Sequence, residues 1–223
     1  MATIKLYNYF RSSTSYRVRI ALELKNLKYE YIPIHLLNNG GEQNHSAYRS
    51  INPQGGVPSL VYNDKVISQS MAIVEFLDEL YPNINQLFPN DLYQKAKIRQ
   101  ICENINADIH PIQNLRVFKY LEKKFNADQN TKEEWAQKWI QDGFAATEKI
   151  LESTRSQYCF GDQVTAADVF LIPQMVSAER FKVDLKKFPI LFKIYENCLQ
   201  LDAFKKSHPF CQIDTPEELR KKL

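Results

Sequence analysis

Apolar residues in the first part of the chain alternate between the spacing of strands and that of helices. The side chains that alternate from Ile4 to Phe10 predict a short strand, because successive strand residues face opposite sides. Four small hydroxyl residues, Ser12 to Ser15, come next, and the apolar residues among positions 18–22 then predict a helix over about residues 16–26. Glu23 stands four residues after Arg19, which is the spacing of a surface ion pair on that helix.

The next sixty residues continue the mixture of strands and helices. Aromatic and β-branched residues predict a strand over 29–34, and a polar stretch with two glycines predicts a loop over 38–50. Residues 59–62 and 66–68 flank an Asn-Asp-Lys turn and therefore predict a hairpin, which a helix follows from Ser70. This order of elements predicts a small α/β unit with parallel and antiparallel strands in one sheet.

From position 91 to about 201 the pattern is helical throughout. It predicts one helix from Leu92 to about Lys123, kinked at Pro111, and a second from Lys132 to about Ser153. Thr165 followed by Asp168 resembles a capping box that opens a buried helix. We expect the tail from position 208 onward to wrap over the surface.

The change of pattern divides the chain into two domains. An α/β domain is predicted over residues 1–82 and an all-helical domain over 91–223, with a linker rich in proline and asparagine over 83–90.

Composition and charge indicate an ordinary globular protein. Hydrophobic residues make up 44% of the 223 residues and charged residues 25%, and the net charge is only +3. This balance gives no indication of nucleic-acid or membrane binding, and no stretch reaches the roughly 18 apolar residues of a membrane span. With no signal peptide apparent, we expect a cytoplasmic protein.

The four cysteines and four histidines have no metal-ligand spacing. We therefore expect reduced cysteines and no metal site.

The hydroxyl stretch after the first strand is the first candidate for chemistry. Serine and threonine are preferred helix N-caps, and the N-terminus of a helix attracts anions. A hydroxyl there can donate a hydrogen bond to a thiolate. The alternative is an ordinary helix start.

Two further sites in the same domain suit a bound peptide. A cis Val57–Pro58 bond would turn the backbone N–H and C=O of Val57 outward to pair with an extended peptide; the alternative is a plain trans turn. Gln69 and Ser70 stand at a helix start, where they either bind a carboxylate or simply cap the helix.

Together these motifs resemble the zeta class of the glutathione transferases over positions of about 4–220. The stretches that carry the resemblance are Tyr9–Ser13, Tyr16–Leu22, Asn52–Pro53, Val57–Pro58, Gln69–Ser70, Gln113–Leu115, Gly161–Asp162, Thr165–Asp168, Ala178–Phe181 and Ser207–Pro209. The resemblance implies a thioredoxin-like N-terminal domain, an all-α C-terminal domain, glutathione as cofactor and a homodimer. It also implies isomerisation of the dianion maleylacetoacetate to fumarylacetoacetate in phenylalanine and tyrosine breakdown.

The resemblance also assigns residues. Ser12 and Ser13 are the implied catalytic pair, and Arg11 and Arg180 are the implied binders of substrate carboxylates. The implied glutathione contacts are Ser12, Ser13, Thr14, Gln43, Val57, Gln69, Ser70, His110, Asn114 and Arg116. Arg11 has an equal alternative as a solvated surface charge.

Two positions depart from the family pattern. Thr14 stands where the class usually has cysteine, and isomerase activity is expected to survive the change. His110 stands where some relatives have glutamine; it either binds glutathione or satisfies the helix kink before Pro111.

Other functions compete with isomerisation. One is a transferase or α-halo acid dehalogenase of the same class, and another is a non-catalytic glutathione-binding protein. A third is a transferase that uses Tyr7 or Tyr9 in place of Ser12.

Overall fold

Four short strands form one mixed sheet in the computed structural model, which describes residues 3–221. The strands are β1 (Ile4–Asn8), β2 (Glu30–Pro33), β3 (Ser59–Tyr62) and β4 (Lys65–Ser68). Their order in the sheet is β2–β1–β3–β4. β1 runs parallel to β2 and antiparallel to β3, and β3 and β4 form the predicted hairpin. The predicted sheet with both strand directions is confirmed.

Helices account for most of the remaining chain. They are α1 (Ser13–Leu24), α2 (Ser46–Arg49), α3 (Ser70–Leu80), α4 (Leu92–Glu103), α5 (Leu115–Phe125), α6 (Gln129–Leu151), α7 (Ala166–Arg180), α8 (Pro189–Cys198) and α9 (Asp202–Ser207). Every helix among residues 3–221 is too short or too polar to span a bilayer.

The described residues divide into two units, and the first is made of two separate parts of the chain. One unit comprises residues 3–86 together with 199–221, and the other comprises residues 87–198. In the first unit α1 contacts both α3 and α9.

The tail from position 208 was expected to lie on the surface, but part of it is buried. Pro209, Gln212 and Thr215 are buried in the first unit. The Gln212 amide donates to the backbone oxygens of Lys206 and His208, both at 2.8 Å, and this local hydrogen bonding accounts for the burial.

The single long helix predicted from Leu92 to about Lys123 is wrong. α4 ends at Glu103 and continues only as a π-helical turn to Ile109. α5 then starts afresh, because the Asn114 side chain caps it by accepting the Arg116 amide at 3.2 Å.

The start of α7 has the predicted capping box. The Asp168 carboxylate accepts the backbone amide of Thr165 at 2.8 Å and that of Cys159 at 2.8 Å. Desolvation by burial raises the pKa of this carboxyl.

Candidate active site

A tight turn after β1 delivers Ser12 to the start of α1. The Ser12 amide donates to the Tyr9 carbonyl at 3.0 Å, which closes a four-residue turn. The Ser12 hydroxyl then accepts the Ser15 amide at 3.2 Å, so that Ser12 is the N-cap and α1 begins at Ser13, earlier than the predicted start at about residue 16. The hydroxyl therefore lies at the positive end of the helix dipole, where an anion is stabilised.

Thr14 connects Ser12 with the loop before β3. Its hydroxyl donates to the Val57 carbonyl at 2.9 Å and lies 2.9 Å from the Ser12 oxygen. A carbonyl only accepts, so the single Thr14 proton is used there. Ser12 must then be the donor in its contact with Thr14.

The Val57–Pro58 peptide bond is cis, which is the alternative that suits a peptide site rather than the plain trans turn. The Val57 carbonyl already accepts the Thr14 hydroxyl, which leaves it one further lone pair, and its pairing with a bound peptide stays a prediction. Thr14 itself was predicted only as a glutathione contact and not as a link to Val57.

Gln69 and Ser70 lie at the start of α3, in the same unit as Ser12. Gln69 has a φ of +73°, a conformation that residues other than glycine rarely adopt and that is enriched at functional sites. Its exposed side chain donates to the Gln54 side chain at 2.6 Å.

Behind Ser70 lies an arginine that the sequence patterns did not single out. Arg17 on α1 is fully buried and donates to the Ser70 hydroxyl at 3.1 Å. A guanidinium has no acceptor, so Ser70 accepts here and keeps its own proton to donate to another group. Arg17 thus places a buried positive charge next to the predicted carboxylate site.

Arg19, one helical turn along from Ser15, is also fully buried, so the predicted surface pair with Glu23 is wrong. Its guanidinium instead donates to the Phe10 carbonyl at 3.0 Å and to the Asn8 side chain at 2.9 Å. Both partners belong to the end of β1 and the turn that follows it.

The Gln43 side chain has a buried oxygen without a hydrogen-bond donor among the described residues, as is expected where a ligand supplies the donor. Its side-chain nitrogen donates to the Leu36 carbonyl at 3.3 Å. Its side-chain oxygen is buried, and no residue in the described part of the chain donates to it. A buried acceptor of this kind suits an N–H of a bound peptide such as glutathione.

The other four predicted contacts lie in the second unit. His110 ends the π-helical turn, and its ring nitrogen lies 3.4 Å from the side-chain nitrogen of Asn114. Arg116 is exposed on the first turn of α5. Arg180, the last residue of α7, is exposed with its guanidinium carbon 4.4 Å from the centre of the Phe181 ring.

The tyrosine alternative receives little support at Tyr9. Tyr9 is only 4% exposed, and its ring packs edge-on against Phe10 at 4.7 Å and His35 at 4.9 Å. Ser12 and Ser13 are only half-buried by comparison, and Arg11 is exposed beside them.

Two of the four cysteines are made unreactive by burial. Three are buried, and all four are thiols. Burial raises the pKa of Cys159 and of Cys198, which keeps them protonated and unreactive. Among residues 3–221 no group of three or more metal-binding side chains comes together.

Known proteins resemble the whole chain. Residues 2–79 match the N-terminal domain family of the glutathione S-transferases, and residues 111–206 match their C-terminal domain family. A mouse protein named maleylacetoacetate isomerase is 47% identical over 96% of each chain.

Two solved structures are also similar. A holo maleylpyruvate isomerase, described as a bacterial zeta-class glutathione S-transferase, is 42% identical with a TM-score of 0.92, over 95% of this chain and 100% of its own. A maleylacetoacetate isomerase from Anaeromyxobacter dehalogenans with glutathione in its active site is 37% identical with a TM-score of 0.86, over 96% of this chain and 99% of its own. The chain therefore belongs to the glutathione S-transferase family, in its zeta class, and glutathione is its co-substrate.

Proposed function

We propose that this protein catalyses the glutathione-dependent cis–trans isomerisation of maleylacetoacetate to fumarylacetoacetate. The observation that carries the proposal is the Ser12 hydroxyl at the N-terminus of α1, in one unit with Gln43, Val57 and Ser70. The choice of substrate is supported by the names of the similar proteins from mouse and Anaeromyxobacter dehalogenans.

The chemistry that bound glutathione supplies is reversible addition of its thiolate to the conjugated double bond, which permits rotation about that bond. The task of the protein is to favour the thiolate. When glutathione is bound, the Ser12 hydroxyl turns its proton from Thr14 to the thiolate, and the dipole of α1 stabilises the charge, with Ser13 beside it. Each of these effects lowers the thiol pKa, so that more thiolate is present at neutral pH.

The other residues of the first unit hold the tripeptide. The Val57 backbone N–H and the buried Gln43 oxygen suit its peptide groups. Gln69 and Ser70 suit the γ-glutamyl carboxylate, with the Arg17 guanidinium behind Ser70.

Residues of the second unit are assigned by resemblance. His110, Asn114 and Arg116 complete the glutathione contacts, while Arg180 and Arg11 bind the two substrate carboxylates. Arginine suits this task because its planar fork of donors matches a carboxylate.

We place the reaction in the cytoplasm, since the thiol cysteines suit a reducing compartment. We also propose a homodimer. Leu92 and Tyr93 on α4, which are 81% and 76% exposed, offer apolar surface that a partner subunit could cover.

The test is turnover of maleylacetoacetate, or of its analogue maleylacetone, with a small catalytic amount of glutathione. We expect complete conversion to the fumaryl product while the glutathione concentration stays constant. Stoichiometric loss of glutathione would instead identify a transferase or dehalogenase, and no reaction at all would leave a glutathione-binding role. Maleylpyruvate is a parallel substrate, because a protein 42% identical to this chain is named for it.

A further inference from the structure

We propose that the tail segment, residues 207–215, is a working part of the thiolate site, because Asp214 fixes the turn that delivers Ser12. The inference rests on the proposed function and adds a positioning residue that lies 204 positions from the turn it holds.

Asp214 binds the turn through its backbone. One carboxylate oxygen accepts the Phe10 amide at 2.9 Å, and the other accepts the Tyr31 hydroxyl. Burial raises the pKa of Tyr31, so its hydroxyl remains a donor. The half-buried carboxylate therefore has one donor on each oxygen, and its own position is fixed.

The carbonyl of Phe10 is also bound by a side chain from outside the turn. Arg19 donates to the Phe10 carbonyl at 3.0 Å and also to the Ser207 carbonyl at 3.0 Å. The tail segment thus reaches the turn twice, directly through Asp214 and indirectly through Arg19. Both polar groups of the Phe10 backbone are bound by side chains outside the turn.

Ser12 follows Phe10 by two residues, and its amide closes the turn onto Tyr9. Releasing the Phe10 amide therefore loosens the backbone from which the Ser12 hydroxyl projects. A displacement of a catalytic donor by a fraction of an ångström weakens its hydrogen bond to a charge. The structure assigns Asp214 this positioning role, with no direct contact to glutathione.

The test compares Asp214→Ala with Asp214→Asn. Asparagine keeps an oxygen that accepts the Phe10 amide, and its nitrogen can donate to the Tyr31 oxygen, whereas alanine removes both bonds. Ile213→Ala is the matched control in the same segment, since Ile213 is 68% exposed. Two quantities are measured: amide hydrogen exchange across residues 10–12 without glutathione, and the pKa of bound glutathione from its thiolate absorbance.

For Asp214→Ala we expect exchange across residues 10–12 to accelerate about tenfold or more. We also expect the pKa of the bound thiol to rise by on the order of half a unit. Asp214→Asn and Ile213→Ala should have the exchange rates and the bound thiol pKa of the unsubstituted protein. Unchanged exchange and thiol pKa in Asp214→Ala, or an asparagine variant as damaged as the alanine variant, would overturn the assignment.

Failure of the proposed function is recognised separately. If Ser12→Ala leaves the bound thiol pKa unchanged, Ser12 is not the donor, and the thiolate assignment fails. The exchange experiment contains no glutathione and still decides whether Asp214 holds the turn.

Discussion

Replacement of Ser12 by alanine removes one hydroxyl whose effects on the fold and on the bound co-substrate are separable. In the fold the hydroxyl accepts the Ser15 amide at 3.2 Å, which caps α1, and donates to Thr14 at 2.9 Å. In the proposed function it also donates to the glutathione thiolate. The first effect concerns the stability of the fold, and the second concerns only the bound co-substrate.

The two losses have different magnitudes. Replacing an N-cap serine with alanine costs about 1 kcal/mol of unfolding free energy. A hydrogen bond to a charged group contributes roughly 1.5–3 kcal/mol. Since one pKa unit corresponds to about 1.4 kcal/mol, the pKa of bound glutathione should rise by about 1–2 units.

Urea unfolding without glutathione measures the first loss, and thiolate absorbance of the complex across pH measures the second. Asp91→Ala is the matched control, because the Asp91 carboxylate caps α4 by accepting the Gln94 amide at 2.7 Å. It should lose similar stability without any change in the thiol pKa. A Ser12→Ala protein that loses stability but keeps the parent thiol pKa would refute the reasoning.

Three other changes test neighbouring features. Burial lowers the pKa of His208 to about 4, and protonation would also oppose the Phe210 amide that its ring accepts at 3.2 Å. Below pH 6.5 the unfolded state binds more protons than the folded state, so the unfolding free energy should fall by up to about 3 kcal/mol between pH 6.5 and 4. Urea unfolding at several pH values measures this fall, and His208→Asn should make it smaller. Arg17→Lys should weaken the binding of glutathione about tenfold, as measured by calorimetry. The affinity for an analogue that lacks the γ-glutamyl carboxylate should not change, and equal weakening of both ligands would contradict the role given to Arg17. Thr14→Val frees the Ser12 proton from its present acceptor, so the bound thiol pKa should fall, by about a unit or less; a rise would mean that Thr14 itself assists the thiolate.

The parts of the fold that could be predicted are those formed by residues close together along the chain. Side-chain alternation and a polar turn are enough to indicate the hairpin of β3 and β4. The capping roles of the Ser12–Ser15 stretch and of Asp168 were predictable because the capped amides, those of Ser15 and Thr165, lie only three residues from Ser12 and Asp168. The break before α5 was missed, because the capping role of Asn114 was not recognised within a continuous helical pattern.

The candidate site was predictable only in part for the same reason. Ser12, Val57 and Ser70 belong to recognisable motifs, and the structure places them in one unit. Periodicity could not indicate the burial of Arg17 and Arg19, because each binds a group far along the chain: Arg17 binds Ser70, 53 residues away, and Arg19 binds Ser207, 188 residues away. The glutathione and substrate contacts themselves remain predictions.

The bond between Arg19 and the Ser207 carbonyl spans 188 residues, and this has a consequence for synthesis on the ribosome. At roughly 5–20 residues per second, Arg19 is made about 10–40 s before its acceptor exists. A buried guanidinium that lacks one of its acceptors is destabilising, so the N-terminal sheet and α1 are less stable during this interval. We infer that the nascent N-terminal half waits in a looser state, exposed to chaperones, until the last segment emerges.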